Sequence, residues 1–363
     1  MNTDFIRSKL CIMKYLPVLL VSFILLLQAC KNDSTASPPP PPPPPAPTNT
    51  ANVSMYSHRY TVADEQLMGQ YRVRANKAVD VYLYPSEDIV RLGQEGQLRG
   101  DIVLLDDLYD AHLLRKAGAL SPYNAGTFGD YVPSRYVDNE GYWAATTRWT
   151  MTFVFRPSVV DMTDMRNYGA ILNPKYQGRL AIAHPDSSGL ISMTASMIAA
   201  HGEQPARIYL ESLKKNLHGD ATGNDFEAIS AVLRGDADVA LVNGSQFMRY
   251  KHSGNAELFS ALDQLEVEIP TDTDGNNYYN ITPICILNNG PYRNYAINLV
   301  EFLTIQENQS MYAEAQLEYP VNIFGEMSEL LNSTFNLPQG KISTEMTENQ
   351  LDKAAELVHD IFR

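Results

Sequence analysis

Short apolar segments alternate with helical segments along most of this chain. Runs with a strand pattern occur at residues 53–56, 79–84, 101–105, 179–183 and 238–242. Between them, apolar residues recur every three or four positions, as on one face of a helix. The continuous apolar run that ends at Leu105 is typical of a strand buried on both faces of a parallel sheet. The alternation therefore predicts an α/β fold with mostly parallel sheets.

The N-terminal segment has a different character. Basic residues are followed by an apolar run over 15–27, which ends in Leu27-Gln28-Ala29-Cys30. That run is short for a membrane-spanning helix. It is typical of a lipoprotein signal peptide, in which Ala29 permits cleavage before a cysteine that carries the lipid. We predict a signal peptide over residues 1–29 and lipidation of Cys30. An uncleaved anchor helix is the alternative.

A proline-rich segment follows the predicted anchor. Prolines run without a break from Pro38 to Pro45, and Pro47 follows. Proline fixes φ and has no amide hydrogen, so this stretch cannot form a helix or a sheet. We predict that residues 30–51 are a lipid-bearing, extended spacer that holds the folded part away from a membrane.

Composition and charge exclude several classes of protein. The formal net charge is −14, and no basic patch with interleaved aromatic residues is present, which argues against a nucleic-acid partner. Cys285 is the one cysteine beyond the predicted anchor, so no disulfide forms within a mature monomer. It lies in an apolar run and is expected to be a buried small hydrophobe. We expect the mature protein to be a monomer.

Sequence motifs of common enzymes are absent. The chain has no Gly-x-Ser-x-Gly elbow, no His-Glu-x-x-His helix and no phosphate-binding loop. Asp106 and Asp107 form a carboxylate pair, but their place at the end of a strand favours a structural role. We therefore expect a binding protein and not an enzyme.

The turns between strands and helices are where a ligand is expected. In α/β folds, ligands lie at the carboxyl ends of strands and the amino ends of helices. The turns in question are Ser57–Ala63, Asp106–Tyr109, His184–Leu190, Asn243–Phe247 and Asp274–Asn280. We predict that these turns together form a cleft.

Six short motifs, in order along residues 53–322, resemble one protein family. They are Tyr56-Ser57-His58-Arg59-Tyr60-Thr61-Val62-Ala63-Asp64; Arg91-Leu92 with Glu95-Gly96 and Asp101; Gly141-Tyr142-Trp143; Asn173-Pro174-Lys175-Tyr176-Gln177-Gly178-Arg179; Gly223-Asn224-Asp225; and Glu318-Tyr319-Pro320-Val321. Their spacing is similar to that of ferric-iron substrate-binding proteins of bacterial ABC importers, in particular the cyanobacterial iron-uptake type.

This resemblance implies a periplasmic-binding-protein fold with two lobes, a hinge of two crossings and closure on a ligand. The first lobe is expected over 51–150 and 281–325, the second over 151–280, and a C-terminal helical tail over 326–363. The resemblance also implies permease and ATPase partners. Ferric iron or a ferric chelate would be the transported ligand. The location would be the periplasm or the cell surface.

The positions of the family's metal ligands are largely altered in this chain. Family members hold ferric iron with phenolates, which are hard anionic oxygen donors. Here the matching positions are Thr61, Gly189, Ser245 and Gln246, and Phe247 follows without a hydroxyl. We therefore predict that bare Fe³⁺ is not bound in the tyrosine-rich manner of the family.

Other residues on the same turns are candidate ligand contacts. His58, Tyr60 and Tyr278 are the candidate metal ligands, although two neighbouring tyrosines more often pack at a lobe edge. Arg148 can bind a carboxylate or phosphate, or form an ion pair between the lobes. The full candidate set is His58, Arg59, Tyr60, Arg148, Ser187, Ser188, Asn243, Ser245 and Tyr278.

Three functions remain open from the sequence. The first is an importer's binding lipoprotein for iron or an iron complex. The second keeps the fold and binds a small anionic or polar organic solute, for which the small polar turns before helices are suited. The third is a surface lipoprotein with a sensory or scaffolding role.

Overall fold

The computed structural model describes residues 52–123, 131–186, 189–221, 223–334 and 340–363. All of them belong to one compact unit, Pro44–Arg363. The predicted signal peptide, spacer and lipid-bearing Cys30 lie outside the described residues, as do Ser187 and Ser188.

Nine strands in the described residues form one continuous network of two halves. The strand order is β2-β1-β3-β8-β4-β6-β5, and β7 and β9 both pair with β4. Strands β1, β2, β3 and β8 make the first half, and β5, β6 and β7 make the second. The strands are β1 (Val53–Ser57), β2 (Val79–Leu83), β3 (Ile102–Leu104), β4 (Ala144–Phe155), β5 (Leu180–Ile182), β6 (Val239–Asn243), β7 (Glu266–Glu268), β8 (Tyr279–Ile286) and β9 (Tyr319–Pro320).

Strand β4 passes from one half to the other. Its residues up to Thr150 pair with β8, and from Met151 onward they pair with β6. The change of partner falls between Thr150 and Met151. We call the elements around strands β1, β2, β3 and β8 the first lobe. The elements around strands β5, β6 and β7 are the second lobe.

Helices cover both halves of the strand network. In the described residues they are α1 (Val62–Ala75), α2 (Ser86–Gln94), α3 (Leu108–Lys116), α4 (Leu190–His201), α5 (Glu203–Asn216), α6 (Asp225–Arg234), α7 (Gly244–Lys251), α8 (Ala256–Leu262), α9 (Arg293–Thr304), α10 (Gln306–Gln316), α11 (Glu329–Thr334), α12 (Thr344–Glu348) and α13 (Leu351–Phe362). None of these helices is long and apolar enough to cross a membrane.

Local sequence explains where the site-forming helices begin. Helix α1 starts after Thr61, whose hydroxyl accepts from the amide of Asp64, while the Asp64 carboxylate accepts from the Thr61 amide. Thr61 is therefore the N-cap of α1, and Asp64 completes the reciprocal pair from inside the first turn. Helix α6 is capped in the same reciprocal way by Asn224, which leaves Asp225 as its first residue.

The fold class is confirmed as α/β with mixed sheets, but one detail differs from the prediction. Strands β1 and β2, β1 and β3, and β5 and β6 pair in parallel. The pairs that involve β4 or β8 are antiparallel. The expectation of mostly parallel sheets was wrong because β4 is interrupted by threonines and an arginine, so that its sequence lacked an apolar strand pattern.

The C-terminal helices pack on the second lobe. Helix α13 lies against α4 and α5, and its side chains Leu351, Leu357 and Val358 are buried. A hydrogen bond of 2.9 Å joins the hydroxyls of Ser196 in α4 and Thr347 in α12. The tail is therefore an integral layer that covers the outer face of α4.

Candidate functional site

A cleft lies between the two lobes, with a cavity of about 80 Å³. The first lobe contributes the end of β3 and the starts of α2 and α3. The second lobe contributes the turn before α4, the start of α6 and the end of β6. Trp149 of β4 also lines the cleft. Three of the five predicted turns thus meet here directly, namely those at Asp106–Tyr109, His184–Leu190 and Asn243–Phe247.

The cleft is strongly acidic. Among its lining residues, the charged ones are all carboxylates, and none is a lysine or an arginine. We name six of these residues the acidic cleft: Glu87, Asp106, Asp107, Asp110, Asp186 and Asp225. The Asp186 carboxylate has partners of its own, because it lies 2.7 Å from His359 Nε2 and 3.4 Å from the Arg363 guanidinium. Burial raises the pKa of Asp110 well above its ordinary value and the pKa of Asp107 to about 6, so the negative charge of the cavity grows as pH rises.

Asp107 is held firmly and links the lobes. Its Oδ1 accepts from the Tyr109 amide at 2.7 Å and from the Ser192 hydroxyl at 2.5 Å. Its Oδ2 accepts from the Asn280 side chain at 2.8 Å. Burial raises the pKa of Asp107 to about 6, even though these donors act in the opposite direction. Since both oxygens already have partners, Asp107 shapes the cleft more than it offers free acceptors.

Asp106 and Asp225 have free acceptors. The Oδ1 atom of each is buried and has no hydrogen-bond partner among the described residues. Burial and, to a smaller extent, the negative charge of Asp106 raise the pKa of Asp225 to about 7, against the opposing effect of the Asn243 amide. Asp106 belongs to the first lobe and Asp225 to the second, so two carboxylates repel each other across the cleft.

His58 lies beside Asp106 without neutralising it. Its Nε2 is 3.4 Å from Asp106 Oδ1, and its Nδ1 is 3.3 Å from the Leu104 carbonyl oxygen. Burial lowers the pKa of His58 to about 4, against the raising effect of Asp106. The imidazole is therefore neutral at physiological pH. It is the one candidate metal ligand that the fold places at the edge of the acidic cleft.

Trp149 fills the space beside Gly189. Gly189 has φ +71°, and a β-carbon there would lie 2.5 Å from Cη2 of Trp149 and 3.2 Å from Asp107 Oδ2. The indole N–H donates to the Asp106 carbonyl at 3.1 Å. The indole thus occupies the space that a side chain at 189 would need, and it forms an aromatic wall of the cleft.

Arg59 forms an ion pair outside the acidic cleft. Its guanidinium lies 2.6 Å from Glu318, which also binds Arg249 at 3.0 Å. Thr147 and Thr282 donate to the other oxygen of Glu318. We name Arg59, Arg249 and Glu318 the hinge ion cluster. Arg59 follows β1, Arg249 lies in α7 and Glu318 precedes β9, so the cluster ties both lobes to the crossing strands and leaves Arg59 with a structural contact.

Tyr60 and Tyr278 lie outside the lining of the acidic cleft. Tyr60 is 43% exposed. Tyr278 is buried, stacks on Tyr168 with 4.7 Å between ring centroids, and donates its hydroxyl to Asp272 at 2.9 Å. Burial and Asp272 raise the pKa of Tyr278, which disfavours a phenolate. The described residues also contain no group of three or more His, Cys, Asp or Glu side chains arranged to hold a metal ion.

Arg148 and the polar turn at β6 have distinct environments. The Arg148 guanidinium lies 5.6 Å from the ring centroids of both Tyr136 and Tyr319. Neighbouring residues of a strand face opposite sides, so Arg148 points away from the cleft that Trp149 lines. Asn243 lines the cleft and caps α7 by accepting from the amides of Ser245 and Gln246. Ser245 is buried beside it.

Sequence reasoning missed Trp149 and Asp225 as site residues. Asp225 was named only as part of the motif Gly223-Asn224-Asp225, and Trp149 lies on a strand that the apolar pattern did not reveal. The carboxylate pair Asp106-Asp107 was visible, and its position before a helix in an expected ligand turn was the available signal. What the sequence could not show is that a third carboxylate meets this pair from the opposite lobe.

Comparison with known proteins gives the family. The model of the bacterial extracellular solute-binding protein family matches residues 60–315. Iron uptake protein A2 of Synechocystis is 26% identical over 280 residues, which cover 76% of this chain and 80% of that protein.

Solved structures agree in fold. Apo FutA2 from Synechocystis superposes with a TM-score of 0.77 at 24% identity, covering 87% of this chain and 100% of that one. The Trichodesmium protein in complex with iron and citrate gives a TM-score of 0.78 at 20% identity, with coverage of 85% and 99%. The matching family model describes solute-binding proteins, in agreement with the prediction of a binding protein and not an enzyme. The chain belongs to the bacterial extracellular solute-binding protein family.

Proposed function

We propose that this protein is the extracytoplasmic binding component of an ABC importer and that its interlobe cleft captures a positively charged solute. A lipid on Cys30 would hold it to a membrane, and the proline-rich spacer would let it reach a permease that works with an ATPase. Family membership and the two-lobed fold support the transport role. The carboxylates of the acidic cleft support the positive charge that we assign to the solute.

One observation carries the charge assignment. Asp106 and Asp225 each present a buried oxygen without a hydrogen-bond partner among the described residues. Leaving buried carboxylates unpaired is costly, because charge is taken from water without compensation. A cation bound between them would supply that compensation. An anionic solute, which the sequence left open, would meet the repulsion of the acidic cleft.

Iron is the first candidate by relationship. The relatives are iron-uptake and ferric-binding proteins by name, and carboxylate oxygens are hard donors that suit ferric iron. The phenolate manner of binding is not available, since Thr61 caps α1 and Gly189 faces Trp149. Iron would therefore use Asp106 and Asp225, with water or added anions completing its coordination.

A thermal-shift screen tests the proposed function. The mature domain would be melted with ferric salts, ferric chelates, other metal chlorides, amines, sugar phosphates and phosphonates. A real ligand raises the melting temperature through binding linkage. The expected result is stabilisation by cations alone. Stabilisation by an anionic solute alone would contradict the charge assignment.

The importer role and the anchor need separate tests. A Cys30→Ser variant should leave the membrane fraction, and a variant that stays bound would contradict lipidation. The cognate permease and ATPase, reconstituted with the loaded protein, should hydrolyse ATP faster than with the empty protein. No change in ATP hydrolysis would favour a sensory or scaffolding lipoprotein.

A further inference from the structure

Helices α12 and α13 are anchored on the second lobe. Helix α13 packs against α4 and α5 with one apolar face. Arg207 of α5 lies 2.8 Å from Asp360, and Lys214 donates to the Ile361 carbonyl. The buried side chains of that face are Leu351, Ala354, Ala355, Leu357, Val358 and Ile361. Separating these helices from the second lobe would expose this surface to water, so they move with that lobe.

Glu348 links the same helices to the first lobe. It is the last residue of α12, and its side chain is only 11% exposed. One of its oxygens accepts from the Trp143 indole N–H at 3.2 Å, and the other lies 3.3 Å from the Arg115 guanidinium. Arg115 belongs to α3, and Trp143 precedes the part of β4 that pairs with β8. Two groups of the first lobe therefore bind one carboxylate that is carried by the second.

Asp352 makes a further contact with the first lobe. Its carboxylate lies 2.7 Å from Lys116 Nζ and 2.9 Å from His112 Nε2, and both partners belong to α3. The Asp352 side chain is 57% exposed. Solvent screens an ion pair of this kind, so it contributes less than the contact of Glu348.

The contacts with α3 exist only while the lobes lie together. In the structure the lobes also touch across the cleft, where the Ser192 hydroxyl donates to Asp107 at 2.5 Å. Rotation of the lobes about the crossing strands would carry α12 and α13 away with the second lobe. It would break the contacts of Glu348 and Asp352 and leave the apolar packing of α13 intact. Contacts present in one of two arrangements shift the equilibrium towards that arrangement.

We infer that α12 and α13 form a strap that holds the two lobes together in the solute-free protein. The strap is anchored on α4 and α5 and fastened to α3 through Glu348 and, more weakly, Asp352. This inference goes beyond the proposed function, because it concerns the protein without solute and holds whatever the cleft binds. Release of the Glu348 contact would favour the open arrangement.

Distance measurements between spin labels test the strap in the solute-free mature domain, produced without Cys30. Gln94→Cys in α2 and Glu356→Cys in α13 give one exposed labelling site on the first lobe and one on the strap, while Cys285 is buried. Double electron–electron resonance gives the distribution of distances between the labels. The wild type is expected to show mainly the short distance.

Glu348→Ala should raise the ratio of long to short distances about tenfold, the effect of losing a hydrogen bond to a charged group. Arg115→Ala removes the same contact from the first lobe and should shift the distribution in the same direction. Glu345→Ala, at an exposed residue of α12, is the matched control and should keep the wild-type distribution.

The outcomes are independent of any ligand. Unchanged distributions in both Glu348→Ala and Arg115→Ala would overturn the strap, and so would a wild type that shows mainly the long distance. Thermal denaturation shows whether each variant is folded. If Glu348→Ala does not fold, Arg115→Ala decides the test, because the Arg115 side chain is 26% exposed and its removal leaves the packing of α13 in place.

Discussion

The molecule contains two buried groups of charges near its crossing strands, and they are arranged in opposite ways. In the hinge ion cluster, Glu318 is fully buried and binds both Arg59 and Arg249. In the acidic cleft, Asp106 and Asp225 line the same cavity, and its lining residues within the described part of the chain include no lysine or arginine. The first group is compensated within the chain and serves the fold. The second is compensated only by something that enters from outside.

Their titration behaviour shows the same contrast. Burial alone would raise the pKa of Glu318, but Arg59 and Arg249 lower it to about 2. Burial raises the pKa of Asp225 to about 7, and Asp106 adds to the rise. Glu318 is fully buried and has two cationic partners, whereas Asp225 is partly exposed and lies in a cleft whose described lining residues include no lysine or arginine. A compensated buried charge indicates structure, and an uncompensated one in a cleft indicates a ligand.

Breaking the hinge ion cluster should have the largest effect on stability. Glu318→Ala leaves Arg59 and Arg249 buried without a counter-charge, and such a loss costs about 3–5 kcal/mol of unfolding free energy. Urea denaturation followed by circular dichroism measures it. Glu314→Ala, at an exposed position of α10, is the control. A loss below about 1 kcal/mol, the range of an exposed ion pair, would show that the cluster is not structural.

Substitution of Gly189 should have the next largest effect. Gly189→Ala strains a positive-φ backbone and brings a β-carbon within 2.5 Å of Trp149, for an expected loss of about 3 kcal/mol. Gly118→Ala is the matched control, since Gly118 has φ +67° and a β-carbon added there would meet no atom within 4 Å. It should lose only about 1 kcal/mol. Equal losses in the two variants would contradict the close contact with Trp149.

Asp225 should make stability fall as pH rises. Its pKa in the folded state, about 7, exceeds the ordinary aspartate value. The folded state therefore holds a proton that the unfolded state has released, and stability is lost as pH rises from about 4 to about 7. Asp225→Asn should stabilise the unliganded protein by about 1–2 kcal/mol at pH 8 and not at pH 4. The same gain at both pH values would contradict a raised pKa of Asp225 in the folded state.

Trp149→Phe should have the smallest effect on stability. The phenyl ring keeps an apolar wall but loses the indole donor to the Asp106 carbonyl. Loss of one hydrogen bond costs about 1 kcal/mol. Thermal denaturation gives the stability change, and calorimetry with n-butylamine gives the accompanying weakening of binding. Trp143→Phe, at the other buried tryptophan, serves as the comparison, because Trp143 does not line the cleft.

Much of the fold could be predicted because its strands are short and apolar. Strands β1, β3 and β6 lie within a residue of the predicted runs. Strand β4 was missed because its first half carries Thr146, Thr147 and Arg148, whose burial depends on partners far away in the chain. Local patterns report local structure, and a strand that joins two lobes is defined by long-range contacts.

The site was less predictable for the same reason. His58 and Asn243 were predicted as ligand contacts because strand ends mark ligand positions, whereas the pair Asp106-Asp107 was given a structural role. Tyr278 was a reasonable candidate, yet Tyr168 and Asp272 hold it away from the cleft. The role of Gly189 depends on Trp149, forty residues earlier, and the role of Asp225 depends on Asp106 in the other lobe. Such pairings arise only when the lobes are folded together.

The central claim is that the cleft is an uncompensated negative site that requires a positive solute. Calorimetry with three solutes of matched length, n-butylammonium, butan-1-ol and butanoate, tests it directly at pH 8. Binding of n-butylammonium alone is predicted, with an affinity that falls as salt screens the carboxylates. Binding of butanoate or butan-1-ol as tightly as n-butylammonium would contradict the claim.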